Sequence, residues 1–387
     1  MYLCKKDMDS PFQYGTLATD KNFIDRVAER AELKQMLSSG INVSLVSPRR
    51  WGKSSLVLMA MNELTAERKD IRVCYLDAFN INSEDEFYNA FASAILSCVS
   101  TKMEKILRAA KQYLGGIVSS INLSDGLNDL LSVSLKYKPQ ETDKIEILNL
   151  PEKIARDKEL RIIVCIDEFQ QLVKLAGYPE MEGKMRSVWQ KQKHVSYCFY
   201  GSKKHMMLDI FANSQKPFYR FSQIIFMPKI KKEDWVPFII KGFSSTGKSI
   251  SDEFAAVICD TIECHSWYLQ QLCFFVWYAT DNEVTESILS ESIQRMIDTN
   301  APMFISDTEK LTPSQKEMLK AIAAGVEQLS SEATLSRYRL GNPNTIARNK
   351  KVLEEKAFID SENGKLTISD PVFLLWYKQT QRAQYSA

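Results

Sequence analysis

Ser47-Pro48-Arg49-Arg50-Trp51-Gly52-Lys53-Ser54 has the residue types and spacing of an anion site. The pattern GxxxxGK[ST] turns the backbone N–H groups of a loop and of a helix start toward phosphate oxygens and ends in a lysine and a hydroxyl. Ser47 replaces the first glycine, which is tolerable if its backbone does not need a positive φ. Gly52 lets the backbone come close to the ligand. Lys53 reaches the β- and γ-phosphates, the Ser54 hydroxyl can coordinate Mg2+, and Ser55 completes the helix start. Asp167-Glu168, at the tip of an apolar run, would supply the rest of a phosphoryl-transfer site. A phosphate-bound Mg2+ needs an outer carboxylate, the role expected of Asp167. Glu168 is placed to polarise a water attacking the γ-phosphate. A kinase with a small acceptor would not need Glu168, and an acid pair capping a helix would need neither role. Ser202, ending the next strand, could face the γ-phosphate or the water. Arg220 could touch phosphate in cis, serve a neighbouring subunit, or be a solvated surface arginine.

Such a site needs strands that end beside one another. "NVSLV" (Asn42–Val46) is short and β-branched, and is followed by a helix from Ser54 to Thr65. "IRVCYLDA" (Ile71–Ala78), "LRIIVCIDEF" (Leu160–Phe169), "HVSYCFYGS" (His194–Ser202) and "SQIIFMPKI" (Ser222–Ile230) also read as strands, with a helix from Ser83 to Val99 between the first two. Strands alternating with helices predict βαβ crossovers and a parallel sheet covered on both faces. Residues of about 101–150 read as an insertion, with a helical "KILRAAKQYL" and an alternating, edge-like "LLSVSLKYK".

After Pro228 the pattern becomes helical, in "KKEDWVPFIIKGF", "SDEFAAVICDTI" and "WYLQQLCFFVWYA". A third unit opens near Thr312, whose spacing to Pro313 and Gln315 predicts a capping box. A helix around Ala333–Arg339 follows, then one capped by Asn342 with Pro343 at its first position, then a hairpin around Asn363-Gly364. Three helices and a hairpin are the layout of a winged helix-turn-helix. The domains expected are therefore an α/β nucleotide-binding domain (1–228), a helical lid (229–305) and a winged helix (306–387).

Bulk composition narrows the function. Lys plus Arg number 50 against 48 Asp plus Glu, so the chain is not a polycation that coats nucleic acid. The N-terminus has no apolar signal core, and no run approaches a membrane span. The eight cysteines form no CxxC pair and sit partly in apolar runs, as reduced thiols of a cytoplasmic protein would.

Taken in order, "NFIDRVAERAEL", "SPRRWGKSSL", "CIDEFQQL", "YGSKKHMM", "PFYRF" and "CHSWYLQQLC" resemble the archaeal-type P-loop ATPases of the STAND class, which are related to AAA+ proteins. "ISDPVFLLWY" resembles their terminal segment, so the likeness covers nearly the whole chain. It implies a P-loop NTPase sheet of order 5-1-4-3-2, ATP or ADP as the nucleotide, and a terminal winged helix. It also implies that Phe23 and Arg26 run beside the adenine and that Arg49 and Arg50 belong to the phosphate loop. A lid motif G-x-P is expected at the nucleotide. Here Cys264-His265-Ser266 stands in its place, leaving His265 and Tyr268 as candidate contacts.

The winged helix carries eleven basic and eight acidic residues from Leu311 to Ala387. Asn344, Thr345, Arg348, Lys350 and Lys351 lie on its presumed recognition helix and could meet duplex DNA. Winged helices also dock proteins, so a protein partner or self-association stays open. Two functions are consistent with these residues. One is a Mg2+-dependent ATPase acting as a nucleotide switch. The other is a DNA- or protein-binding regulator that holds ADP and barely turns over.

Overall fold

Val43–Val46 (β1) is buried at every position because it is an inner strand with a parallel neighbour on each side. The computed structural model describes residues 9–16, 23–24, 26–99, 103–115, 121–123, 133–135, 139–362 and 364–386. After β1 come Ile71–Asp77 (β2), Ile121–Leu123 (β3), Val133–Leu135 (β4), Arg161–Asp167 (β5), Val195–Gly201 (β6) and Gln223–Phe226 (β7). The main sheet runs β2-β5-β6-β1-β7, all parallel. Counting only its own strands, that is the expected order read from the other edge. Register places Val46 beside Gly201 and Asp77 beside Asp167, so β1, β5 and β6 end at one edge. Their next residues, Ser47, Glu168 and Ser202, emerge together.

The helices of this unit are Val27–Ser38 (α1), Lys53–Glu67 (α2), Glu84–Cys98 (α3), Met103–Leu114 (α4), Glu141–Asp157 (α5), Tyr178–Trp189 (α6) and Lys204–Ala212 (α7), with a 3-10 turn at Phe169–Lys174. α3 starts where Ser83 accepts a hydrogen bond from the Glu86 amide. Phe169, Phe199, Phe211 and Phe218 cluster beneath the ends of β5 and β6 and anchor the turn that follows Asp167. β3 and β4 pair antiparallel, apart from the main sheet. Residues from Glu141, read above as insertion, instead belong to the body of the domain. α5 buries Leu148, Leu150 and Ile154 in the core shared with α3 and α6. The apolar positions that do so were hidden in sequence by Pro151 and flanking charges.

Residues from Lys229 onward form a second compact unit together with the described N-terminal residues 9–16 and 23–24. Phe12 is buried there against Phe238 and Phe243. The helices are Lys232–Ser244 (α8), Asp252–Thr261 (α9), Ser266–Ala279 (α10), Glu286–Glu309 (α11), Pro313–Ala323 (α12), Glu332–Tyr338 (α13), Pro343–Glu355 (α14) and Pro371–Ser386 (α15). The hairpin strands are Ile359–Glu362 (β8) and Lys365–Ile368 (β9). The capping box forms as expected: Thr312 Oγ1 accepts from the Gln315 amide and Gln315 Oε1 from the Thr312 amide. Asn342 caps α14 through the Thr345 amide. Gly364 takes a left-handed φ in the hairpin turn, while its expected partner Asn363 lies outside the described residues. One apolar core runs from α8 to α15, so the helices α8–α11 and the winged helix share their packing. Among the described residues no helix is long and apolar enough to cross a membrane.

Candidate active site

The loop between β1 and α2 holds its residues by backbone geometry. Gly52 has φ 91° and Arg50 φ 64°, both left-handed, whereas Ser47 is not among the positive-φ residues. The glycine is therefore demanded at 52 and dispensable at 47. Strain at Arg50 is of the kind kept at ligand sites. Arg49 and Arg50 are exposed, Pro48, Trp51 and Ser54 half-buried, and Ser47 and Ser55 buried. Lys53 opens α2 only 6% exposed. Burial lowers its ammonium below the usual lysine range, against the opposing pull of the Glu168 and Asp167 carboxylates.

Asp167 closes the site from β5. Its Oδ2 accepts from Ser54 Oγ at 2.7 Å, and its Oδ1 from the Glu168 amide at 2.7 Å. Burial raises the carboxyl, and these hydrogen bonds and Lys53 oppose it. Ser54 and Asp167 thus present two hard oxygens side by side, a donor set that fits magnesium. That ion is ordinarily held by one or two protein groups together with phosphates and waters. Among the described residues no cluster of three His, Cys, Asp or Glu side chains could cage a metal alone, so phosphate oxygens would complete the shell.

Glu168 sits next along the chain with φ 48°. Its Oε2 accepts from Ser202 Oγ at 2.9 Å and from Gln170 Nε2. Ser202 in turn accepts from Arg49 Nε at 3.4 Å, which links the phosphate loop to the glutamate. The structure therefore brings together the loop, Lys53, Ser54, Asp167, Glu168 and Ser202. A charge-stabilising cradle and a carboxylate one residue beyond a metal-type oxygen pair can bind a polyphosphate and activate a water. Sequence reasoning missed Gln170. The signal available was a polar amide in an otherwise apolar turn, "EFQQL".

Arg26 ends the segment before α1. It is 2% exposed, has φ 64°, and gives Nη1 to Glu29 at 2.8 Å, while its buried Nη2 has no hydrogen-bond partner. Ion pairs of Arg30 and Lys34 with Glu63, and of Lys34 with Glu67, strap α1 to α2. Arg220 is not brought to the cluster. It precedes β7, whose first residue pairs with the first residue of β1, so it lies at the sheet edge opposite the loop. There it is exposed, with its guanidinium against Tyr219. A contact in cis with the phosphates is therefore not supported: every residue entering a parallel strand lies a strand length from the residues leaving it.

Phe23, His265 and Tyr268 belong to the second unit. Tyr268 is fully buried and donates its hydroxyl to Asp370 Oδ2 at 2.5 Å, while Asp370 Oδ1 accepts the Val372 and Phe373 amides that start α15. That hydroxyl ties α10 to the start of α15 within the apolar core of this unit. Tyr268→Phe is expected to cost about 1 kcal/mol of stability, the worth of one such bond, and to leave nucleotide affinity unchanged. Thermal melts and nucleotide titration together check this. On α14, Asn344, Arg348 and Lys351 are exposed along one face; Thr345 is tied to Asn342, and Lys350 pairs with Glu354 at 3.8 Å.

The model of the family described as "ATPase domain predominantly from Archaea" matches residues 23–272, and that described as "Probable winged helix domain" matches 302–379. Among solved structures, a Walker-type ATPase of Pyrococcus abyssi superposes with a TM-score of 0.66 at 17% identity, over 92% of this chain and 97% of that one. The ORC2 protein of Aeropyrum pernix, in ADPNP–ADP complexes, superposes with a TM-score of 0.54 at 13% identity, over 95% and 98%. At these identities the likeness establishes the fold. No curated protein sequence matches the chain.

Proposed function

Because this chain belongs to the family of ATPase domains found predominantly in Archaea, we propose that it is a Mg2+-dependent ATPase whose nucleotide state is coupled to its winged-helix domain. The observation that carries this reading is the Ser54 Oγ–Asp167 Oδ2 pair, with buried Lys53 on one side and Glu168 on the other. Lys53 and the loop amides would bind the β- and γ-phosphates of ATP. Ser54 and Asp167 would hold Mg2+, which when bound supplies neutralisation of the phosphate charge. Glu168 would orient a water and take its proton. The water oxygen would then bond to the γ-phosphorus as the bond to the β,γ-bridging oxygen breaks, with its electron pair leaving on ADP. No covalent enzyme intermediate is required.

The cysteines among the described residues are all unpaired, which supports a cytoplasmic setting. Duplex DNA is the partner proposed for the open face of α14. Arg348→Ala and Lys351→Ala should each weaken binding similarly across sequences and reduce the salt dependence by a slope of about 1. Titration of labelled duplex at several salt concentrations checks this, and unchanged slopes would point to a protein partner instead. The test of the whole reading is phosphate release from Mg-ATP by the full chain, with and without duplex DNA, for wild type and Glu168→Gln. Turnover lost in the variant supports an ATPase centred on Glu168. Bound nucleotide without turnover in either protein would leave a static ADP-holding regulator.

A further inference from the structure

Gln170 is fully buried in the 3-10 turn two residues beyond Glu168. A carboxylate can only accept, so the amide must turn its NH2 group toward Glu168 Oε2. That choice leaves Gln170 Oε1 facing away, and it is buried with no hydrogen-bond partner. It lies against the backbone of Gly201, the last residue of β6. A Cβ built on Gly201 would fall 1.9 Å from Oε1, and 2.9 Å from both Gln170 Cδ and Met207 Sδ. Gln170 Oε1 and Met207 Sδ are side-chain ends and Met207 is fully buried, so an alanine here would be accommodated by moving the amide. The absence of a side chain at position 201 is thus what admits the Gln170 side chain to the place where it meets Glu168.

We infer that Gln170, seated on Gly201, is the positioning residue that fixes the Glu168 carboxylate. It holds Oε2 from the buried side while Ser202 holds the same oxygen from the strand end, so Oε1 is the oxygen left to meet a water. The two clamps differ in kind. Ser202 also accepts from Arg49 and shares its allegiance with the phosphate loop, whereas Gln170 is enclosed by the core and touches no loop residue through a hydrogen bond. Gln170 is therefore the fixed clamp. This inference rests on Glu168 acting as the base.

The test measures kcat, KM and fluorescent-nucleotide affinity in the full chain for wild type, Glu168→Gln, Gln170→Met, Gln170→Ala, Gly201→Ala and the double variant Gln170→Ala/Gly201→Ala. Gln170→Met keeps the length and loses the donor. It should lower kcat roughly 10- to 100-fold, as expected when an acting group is misplaced, with KM, affinity and melting temperature near wild type. Gly201→Ala should reproduce that loss by displacing the amide. In the Gln170→Ala background the same glycine substitution should add little to kcat loss beyond Gln170→Ala alone, because the amide it displaces is gone and only the Met207 contact remains. Should Gly201→Ala fail to fold, Gln170→Ala and the double variant, in which the collision with the amide is gone and only the Met207 contact remains, still report. Wild-type kcat in Gln170→Met, alongside an inactive Glu168→Gln, would overturn the inference and leave the ATPase reading intact. Equal turnover in wild type and Glu168→Gln would remove Glu168 as the base, and the inference with it.

Discussion

Lys53→Met is expected to weaken ATP binding by two to four orders of magnitude while raising the melting temperature of the nucleotide-free protein. Both effects follow from one placement. Lys53 is 6% exposed at the start of α2, directly after the left-handed Gly52 of the phosphate loop. Charge-assisted hydrogen bonds to two phosphates are worth about 1.5–3 kcal/mol each, and their loss corresponds to roughly a 10²- to 10⁴-fold weaker Kd. Without phosphate, the same burial works against the ammonium, which is why its pKa is lowered. The folded protein then holds this proton less tightly than the unfolded chain. Stability is therefore forfeited at neutral pH and recovered as pH rises through the folded pKa toward the ordinary lysine value of 10.5. Methionine fills the space without the charge. A relief of about 1 kcal/mol would raise the melting point by ~2–4 °C in a domain of this size, and the gain should shrink in alkaline buffer. Calorimetric titration with Mg-ATP and melts across pH measure the two halves. Undiminished affinity in the variant would remove Lys53, and with it the loop, from the site.

The parts of this site that could be read from sequence are those whose physics is local. The loop spells out its own turn, and among its glycine positions it is Gly52, not residue 47, that carries a left-handed φ. Asp167 and Glu168 announce themselves as two charges ending the most apolar strand, where a parallel sheet brings strand ends together. Winged-helix caps are local as well, and Thr312 and Asn342 fall where expected. Gln170 was illegible for the opposite reason. Its meaning depends on Gly201, a residue of another strand that becomes its neighbour only through the β5–β6 pairing. The burial of Tyr268 likewise depends on Asp370, far along the chain. Arg220 is a different case, because strand direction alone assigns residues before β7 to the edge away from the loop. The cis contact left open for it in the sequence is the alternative that strand direction removes. α5 was obscured by Pro151, which sits in the helix at a buried position.

Glu168→Gln is expected to bind Mg-ATP as wild type does and to lose 10²- to 10⁴-fold in kcat, the range that a positioned base contributes. The substitution is mild where it matters for structure. Glu168 Oε2 accepts from Ser202 and Gln170, and an amide oxygen in its place can accept both bonds. The left-handed backbone at 168 and the anchoring of Phe169 in its aromatic cluster are untouched. What changes is the other oxygen. An NH2 group there donates instead of accepting, so it can neither orient a water by its proton nor receive that proton. The Glu168 carboxylate acts on Lys53 through charge alone, and its side-chain hydrogen bonds go to Ser202 and Gln170, with Arg49 linked through Ser202. Affinity should therefore hold while turnover falls. Single-turnover phosphate release beside nucleotide titration separates the two. Turnover within threefold of wild type would mean that water is activated without this carboxylate, and the charge on the loop and on the metal-type pair would then have to account for catalysis by itself.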